Sequence, residues 1–421
     1  MYDVIIIGGG PSGSTTAYYL AKQNIKVLIV EKQTFPRYCI GESLLPYNME
    51  IFRDMNFDQK LAKAGFMKKE GAIFGESDGE NVTRIDFSKG IEPEYSYAYQ
   101  VPRDQFDEML LDHALEQGVE LLKARVDDLL MENDQVNGVS ITLNDGEKKE
   151  LKAKLVIDAS GRKFFMAKKF NLLENDPYIN SVAVFALFDG IDTTSSHSKA
   201  KKGDIIILAF EHGWFWLIPF SDGRTSVGIV TDSVFYSKNK GRPLKEFFDE
   251  MVQKASGRVK MLMEKAVIHD KLHLLHNFSR HTKKVAGKGW VLSGDAAMFV
   301  DPVYSAGVLV AMTGAREIAR LTAEAIKNNN SLTEETYIPF HEILNIGYDV
   351  VLPFIHCFRN TLFQRILFNP PKDSGSTVQM IITVLAGCFF KPELIKEEHD
   401  KFWEYMKMAK VTPFKAEDHD N

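Results

Sequence analysis

The chain has 421 residues, 45% of them hydrophobic and 26% charged. Those proportions exclude a disordered, collagen-like or coiled-coil chain and leave ample apolar material for a core. Lys and Arg number 51 against 57 Asp and Glu, a net charge of −6, which argues against a nucleic-acid-coating protein. At roughly 150 residues per domain the length implies two or three domains, or one large composite. Cys39, Cys357 and Cys388 are too scattered for a disulfide framework or a zinc module. No metal is expected, and a reducing cytoplasm is the expected compartment. The longest apolar-leaning run, Val378 to Phe390, is interrupted by Gln379 and falls short of the roughly 18 residues of a membrane span. The opening Met1-Tyr2-Asp3 leads straight into Val4, so no secretory signal is expected.

Val4 to Ile7 is a continuous apolar run that predicts a buried strand, and Ser14 to Gln23 predicts a helix. Lys26 to Val30 predicts a second buried strand, ending at Glu31. This β-turn-α-β unit implies a parallel sheet. A loop spans Phe35 to Pro46, and helical patches follow from Tyr47 to Ala64. Phe106, Met109, Leu110 and Ala114 give helical spacing to Arg103–Glu116. Strands are expected over Val119–Leu130, Val136–Leu143 and Leu151–Ile157, with a hairpin turn at Asn144-Asp145-Gly146. From Val182 to Asp232 short strand-like runs suggest an inserted antiparallel sheet. A buried strand returns near Trp290, a long helix is expected from Ser305 to Lys327, and Glu334 to Lys410 has a helical pattern. The polar tail Lys415 to Asn421 is expected to fray.

The chemistry begins at Gly8-x-Gly10-Pro11-Ser12-Gly13, between strand and helix. Gly8 permits the tight turn, Gly10 lets a diphosphate approach the backbone, and Gly13 lets the helix close on the strand. The helix N-terminus then meets the diphosphate with free N–H groups. Glu31 lies 18 residues after Gly13, where an acid accepts bonds from ribose hydroxyls and disfavours a 2′-phosphate. FAD or NAD is therefore expected rather than NADP, with Lys32 adjoining Glu31 in the cofactor set.

Further motifs select FAD. Gly294-Asp295-Ala296-Ala297 after a late strand, Asp158-Ala159-Ser160-Gly161, and Val101-Pro102-Arg103-x-x-Phe106-Asp107 resemble the flavin motifs of the aromatic-hydroxylase-like FAD monooxygenases. The resemblance covers roughly residues 1–330. It implies an α/β fold: a Rossmann-like FAD-binding domain from residues 1–180 and 270–330, an antiparallel substrate subdomain over 181–269, and a C-terminal helical region over 331–421. Asp295, Gly294, Arg103, Ala159 and Gly161 would then lie by the cofactor. No second GxGxxG is present, so electrons would come from a transient nicotinamide or a separate flavin reductase.

Three more segments are similar to the flavin-dependent halogenases within that superfamily. They are Phe35-Pro36-Arg37-x-x-x-Gly41-Glu42-Ser43-Leu44-Leu45-Pro46, Trp214-Phe215-Trp216-Leu217-Ile218-Pro219, and Phe299-Val300-Asp301-Pro302-Val303-Tyr304-Ser305-Ala306-Gly307. The resemblance implies that Arg37, Gly41, Glu42, Ser43, Pro302 and Gly307 border the flavin. It implies a flavin hydroperoxide that a halide converts to hypohalous acid, with the halide on the backbone of Ala306 and Gly307, where a turn opens a helix. A lysine would hold or capture the oxidant, and Lys69 falls at the matching place beside Lys68. A solvated lysine pair is the ordinary alternative. Trp214 and Trp216 would shield the site, although alternation also suits them to a strand core. Tryptophan-directed members carry a Glu where Tyr304 stands, which points to a phenol- or pyrrole-type ring, free or tethered to a carrier protein. Cys39 resembles a cysteine of the related geranylgeranyl reductases, and a small packed residue is the plainer reading. Hydroxylation and isoprenoid reduction therefore stand as alternatives. His269, His273 and His276 lack an accompanying ligand set and are taken as structural. Phe358, Phe363, Phe368, Phe389 and Phe390 either cover a substrate cavity or form core.

Overall fold

The computed structural model describes every residue except 78–80, 177–178, 197, 256, 277–278, 300, 370–374 and 412–421. Val300 of the third halogenase-like segment and the tail Lys415–Asn421 thus lie outside the described residues.

Continuous apolar runs form the centre of a parallel sheet. Tyr2–Ile7 lies between Val27–Glu31 and Lys148–Asp158, and Glu120–Glu132 and Trp290–Leu292 extend the sheet on either side. Val4, Ile5, Ile6 and Ile29 are fully buried, as strands covered on both faces require. The long strands Glu120–Glu132 and Lys148–Asp158 run past this core and pair with Gln135–Leu143 as an antiparallel extension. Gly146 turns the hairpin at φ +89°. The helix Pro11–Ala21 packs against Gly307–Lys327, which brings the chain segments before the two helices into one neighbourhood.

The second sheet has the order 267–268, 181–189, 225–232, 213–219, 205–210, 71–76, 82–86, with His273–His276 also pairing with 181–189. It differs from expectation in two respects. Gly71–Glu76 and Val82–Asp86 join it from the N-terminal segment, and His273–His276 joins from beyond residue 269. It is also mixed, because Ile205–Phe210 pairs in parallel with Gly71–Glu76. The alternation of residues 71–76 is masked by Gly71 and Gly75, whose added Cβ atoms would strike neighbouring backbone at 2.4 and 2.7 Å. One face packs into the same core as the parallel sheet through Phe185, Trp214 and Trp216. The other is covered by Leu244–Ala255 and Gly257–Met263, with Phe215, Phe247 and Phe248 between.

The helical patches expected over 47–64 are two helices, Asn48–Asp54 and Asp58–Lys63, parted at Asn56 with φ +56°. Ile338–Cys357, Thr361–Phe368, Gly375–Ala386 and Pro392–Met408 form the C-terminal helical region. Among the described residues no helix is long and apolar enough to cross a membrane.

Candidate active site

The glycine turn sits at the C-terminal edge of the parallel sheet. Gly8 has φ +104°, and a Cβ there would lie 2.5 Å from the Ala159 carbonyl oxygen. A Cβ at Gly13 would lie 2.0 Å from the Gly8 carbonyl oxygen, so helix and turn touch backbone to backbone. Pro11 is the first helical residue, where its missing N–H costs nothing. Ser12 Oγ meets Ser293 Oγ at 2.6 Å, which ties the first motif to Gly294 and Asp295. Glu31 is buried, and its carboxylate accepts from Gly9 N at 2.9 Å and Gln33 N at 2.8 Å. Lys32 beside it is exposed.

The loop from Phe35 to Pro46 crosses this edge. Its far end is zipped to Ala98–Gln100: Val101 N donates to Glu42 O at 2.7 Å, and Leu44 N to Tyr99 O at 3.0 Å. Arg103 forks onto Asp107 at 2.7 and 3.0 Å and donates to Ile40 O at 2.6 Å. Arg37 pairs with the same Asp107 at 3.2 Å. Glu42, Arg103, Cys39, Tyr38, Phe220 and Arg224 are among the residues lining a cleft of about 380 Å³.

A dinucleotide fits this edge. The buried atoms Arg37 Nε, Ser43 Oγ and Arg162 Nη1 have no protein partner. Gly161, at φ +62°, faces open space. Burial raises the Asp295 carboxyl, partly offset by Arg162 and Arg103. Donors without acceptors and an unshielded turn are what a diphosphate and its sugar would complete.

On the other side of the loop, Met67–Lys69 pairs with Ala98–Gln100. The two lysines part company here. Lys68 is exposed, pairs with Glu70 at 2.9 Å and lies 4.4 Å over the Tyr97 ring. Lys69 is 1% exposed, and its Nζ donates to Leu44 O at 2.9 Å, 5.3 Å from the Phe87 ring centre. Desolvation lowers its pKa to about 7, against a smaller raising effect of Asp204. Asp204 is itself buried and held by Arg84 at 2.7 and 3.1 Å.

After Lys69 the chain breaks at Glu70 and enters the next strand, Gly71–Glu76, where Phe74 joins an aromatic cluster. Its ring centre lies 6.2 Å from Tyr304 and 6.3 Å from Phe358. Phe358 also meets Trp214 at 6.2 Å and Tyr304 at 5.9 Å. Tyr304 is buried and donates to Phe354 O at 3.0 Å. Pro302–Tyr304 is a short 3-10 turn, Ser305 is left-handed at φ +57°, and the long helix opens at Ala306–Gly307. Trp214 and Trp216 share a strand face, 5.9 Å apart. Of the C-terminal aromatics, Phe358 joins this cluster and Phe368 packs against it at 6.4 Å, whereas Phe363 and Phe389 are buried and Phe390 packs over Gly347.

His273 and His276 lie on a strand, and His273 stacks on Tyr38 at 4.7 Å. Among the described residues no group of three His, Cys, Asp or Glu is placed to hold a metal. Cys39 is half-buried, and its Sγ donates to Ile40 O at 3.4 Å. Sequence reading missed Arg84, Asp204, Ser226 and Gly228. Alternation in Thr225–Asp232 puts Ser226 and Gly228 on one strand face, but nothing local tells which face meets Trp216.

A parallel sheet with this glycine turn and a buried acid ending its second strand is a dinucleotide-binding arrangement, and residues 1–337 match the FAD binding domain family. Over 401 residues the chain is 32% identical to the 1H-pyrrole-2-carbonyl-(peptidyl-carrier protein) chlorinase of Pseudomonas fluorescens, covering 88% of this chain and 86% of that one. It is 29% identical to the corresponding brominase of Pseudoalteromonas luteoviolacea, covering 93% of each. The solved flavin-dependent brominase Bmp2 superposes with a TM-score of 0.84 at 26% identity, over 97% of this chain and 99% of that one. The chain belongs to the flavin-dependent halogenases of the FAD binding domain family. It is an FAD-dependent oxidoreductase.

Proposed function

We propose that the protein halogenates an electron-rich pyrrole- or phenol-type ring presented on a carrier protein, with Lys69 as the catalytic lysine. The observation that carries this reading is the burial of Lys69 beside the Leu44 carbonyl of the 35–46 loop and the Phe87 ring. The two pyrrole-carbonyl carrier-protein halogenases, similar along nearly the whole chain, support the substrate class.

Gly8, Gly10, Pro11, Ser12, Gly13, Glu31, Arg37, Ser43 and Arg162 would hold the cofactor. Bound FAD, once reduced by a separate flavin reductase, supplies the oxygen chemistry that turns a halide into hypohalous acid. The halide would rest on the backbone of Ala306 and Gly307. Near neutral pH a desolvated lysine has an appreciable amine fraction. The Lys69 amine takes the halogen from hypohalous acid, releasing water. It then passes the halogen to the ring carbon, and the ring proton returns to nitrogen. Trp214, Trp216 and Tyr304 wall this path and exclude water. Tyr304, whose hydroxyl is engaged by Phe354 O, serves as wall rather than base.

The test supplies FAD, a flavin reductase, oxygen and chloride or bromide to the enzyme, with pyrrolyl-loaded carrier protein or a free phenol. Halogenated product from the loaded carrier, lost in Lys69→Ala with FAD retained, is expected. Hydroxylated product with undiminished yield from Lys69→Ala overturns the proposal, and product from the free phenol alone overturns the carrier.

A further inference from the structure

Trp216 is seated on the strand beside it. Its indole Nε1 donates to Ser226 Oγ at 3.2 Å, and Ser226 Oγ donates to Glu42 Oε1 at 3.0 Å. The other carboxylate oxygen, Oε2, accepts from Gly41 N at 2.8 Å. Ser226 is fully buried, Glu42 is 3% exposed and Trp216 is 5% exposed. Two residues along from Ser226, a Cβ at Gly228 would lie 2.2 Å from the six-membered ring of Trp216. The indole therefore lies flat across the strand and fits only because residue 228 has no side chain. Ser226 anchors its polar edge, and Gly228 receives its apolar edge.

Glu42 sits where three segments meet. Its own loop borders the cofactor edge, its carbonyl accepts from Val101 at the head of the Arg103 helix, and its carboxylate reaches the inserted sheet. Of the two donors onto that carboxylate, Ser226 is fully buried and Gly41 lies exposed on the loop. A carboxylate can accept both, whereas an amide offers one acceptor oxygen. The acid is thus explained by a task that faces the sheet.

We propose that Ser226, Gly228 and Glu42 are positioning residues that fix the Trp216 indole relative to the flavin loop, so that cofactor edge and halogenation path keep one spacing. The functional part rests on the reading that Trp216 walls that path, while the clamp itself is testable without cofactor or substrate. In Ser226→Ala the indole N–H loses its partner, and a buried donor left unpaired drives the ring to another orientation. Oxygen consumed per halogenated product should then rise severalfold. In the apoprotein the near-ultraviolet circular dichroism of the tryptophans should change in Ser226→Ala, yet not when Ser226→Ala is added to Trp216→Phe. The losses in coupling should likewise be non-additive between these two substitutions. Glu42→Gln should show the same non-additivity at smaller size.

Should Ser226→Ala not fold, Gly228→Ala gives the independent measurement. Its melting temperature should fall well below wild type and recover in the double variant with Trp216→Phe, whose smaller ring vacates the clash. Additive losses, an unchanged apoprotein spectrum in folded Ser226→Ala, or no recovery of Gly228→Ala would each overturn the clamp. A changed spectrum with unchanged coupling would overturn its catalytic role and the walling role of Trp216 with it.

Discussion

The two ends of the site are made of different materials. The proposed diphosphate end is backbone: Gly8, Gly13 and Ala159 touch through carbonyl oxygens, and one strand-turn-helix-strand unit contains nearly all of it. The proposed halogenation end is side chain: the rings of Phe74, Trp214, Tyr304 and Phe358 arrive from four separate segments and meet at tilted or perpendicular angles, and Lys69 is buried on the short strand before Phe74. A backbone site tolerates no added atom, because a main chain packed on both sides cannot yield. A side-chain site tolerates substitution structurally but changes its chemistry. Perturbation should therefore cost the first end its fold and ligand together, and cost the second only its reaction.

The largest effect tests the first half of that contrast. In Gly13→Ala the new methyl would lie 2.0 Å from the Gly8 carbonyl oxygen and 3.3 Å from Ile6. Helix and sheet must part, at a cost of about 1–3 kcal/mol or more. The purified variant should lack visible flavin absorbance and melt earlier than wild type. Full flavin occupancy would break the contrast.

The next tests the second half. Lys69→Met should lose halogenation by about 10²-fold or more, the scale of a lost proton-transfer or nucleophilic group, with flavin absorbance intact. It should also raise stability. In the unfolded chain a lysine keeps its proton up to its ordinary value of 10.5, while buried Lys69 gives it up above about 7. The unfolded state then binds more protons between those values, so wild-type stability rises with pH across that window. The gain from Lys69→Met, on the order of a few kcal/mol, should be greatest at pH 7 and below and shrink towards 10.5. Melting temperatures across that range measure it. A variant less stable than wild type at neutral pH would mean that Lys69 is paid for by a stronger partner than the Leu44 carbonyl.

The same division governs how much the sequence discloses. Gly8, Gly10, Gly13 and Glu31 fall within 24 residues, and each is required by a local geometric constraint. Their local fold is legible without knowing the rest. The aromatic cluster is not legible in this way. Phe74 lies on a strand hidden by its flanking glycines, and only the parallel pairing of Ile207 with Phe74 brings that strand to the sheet. The choice between Lys68 and Lys69 rests on strand alternation: adjacent residues face opposite sides, and one side is solvent. Ser226 and Gly228 become meaningful only through the register Trp216↔Gly228. That register is set by an antiparallel neighbour rather than by the segment itself.

A subtler change sharpens the contrast by leaving shape alone. Asp204→Asn keeps the acceptor oxygen facing Arg84 and removes the negative charge that holds up the Lys69 pKa. Without it the amine form is favoured further, so the acid limb of the halogenation pH profile should move to lower pH. Arg84 keeps its pairing with Asp86 at 2.9 Å, which guards the local fold. A limb displaced upward, or unmoved in a folded variant, would show that the limb belongs to another group.

The smallest effect belongs to the neighbouring lysine. Lys68 pairs with Glu70 at 2.9 Å with both side chains about half exposed, and such pairs contribute about 0–1 kcal/mol. Its ammonium also rests on the Tyr97 ring, an exposed contact of about 0.5–1 kcal/mol. Lys68→Ala should therefore lower the melting temperature slightly and leave turnover of a small free aromatic probe within about twofold of wild type, less than the 1.4 kcal/mol of a tenfold change. A large loss would move the catalytic assignment one residue along the strand, to the face that meets solvent. The side-chain end of the site would then have to be rebuilt around an open surface instead of the buried cluster at Phe74 and Tyr304.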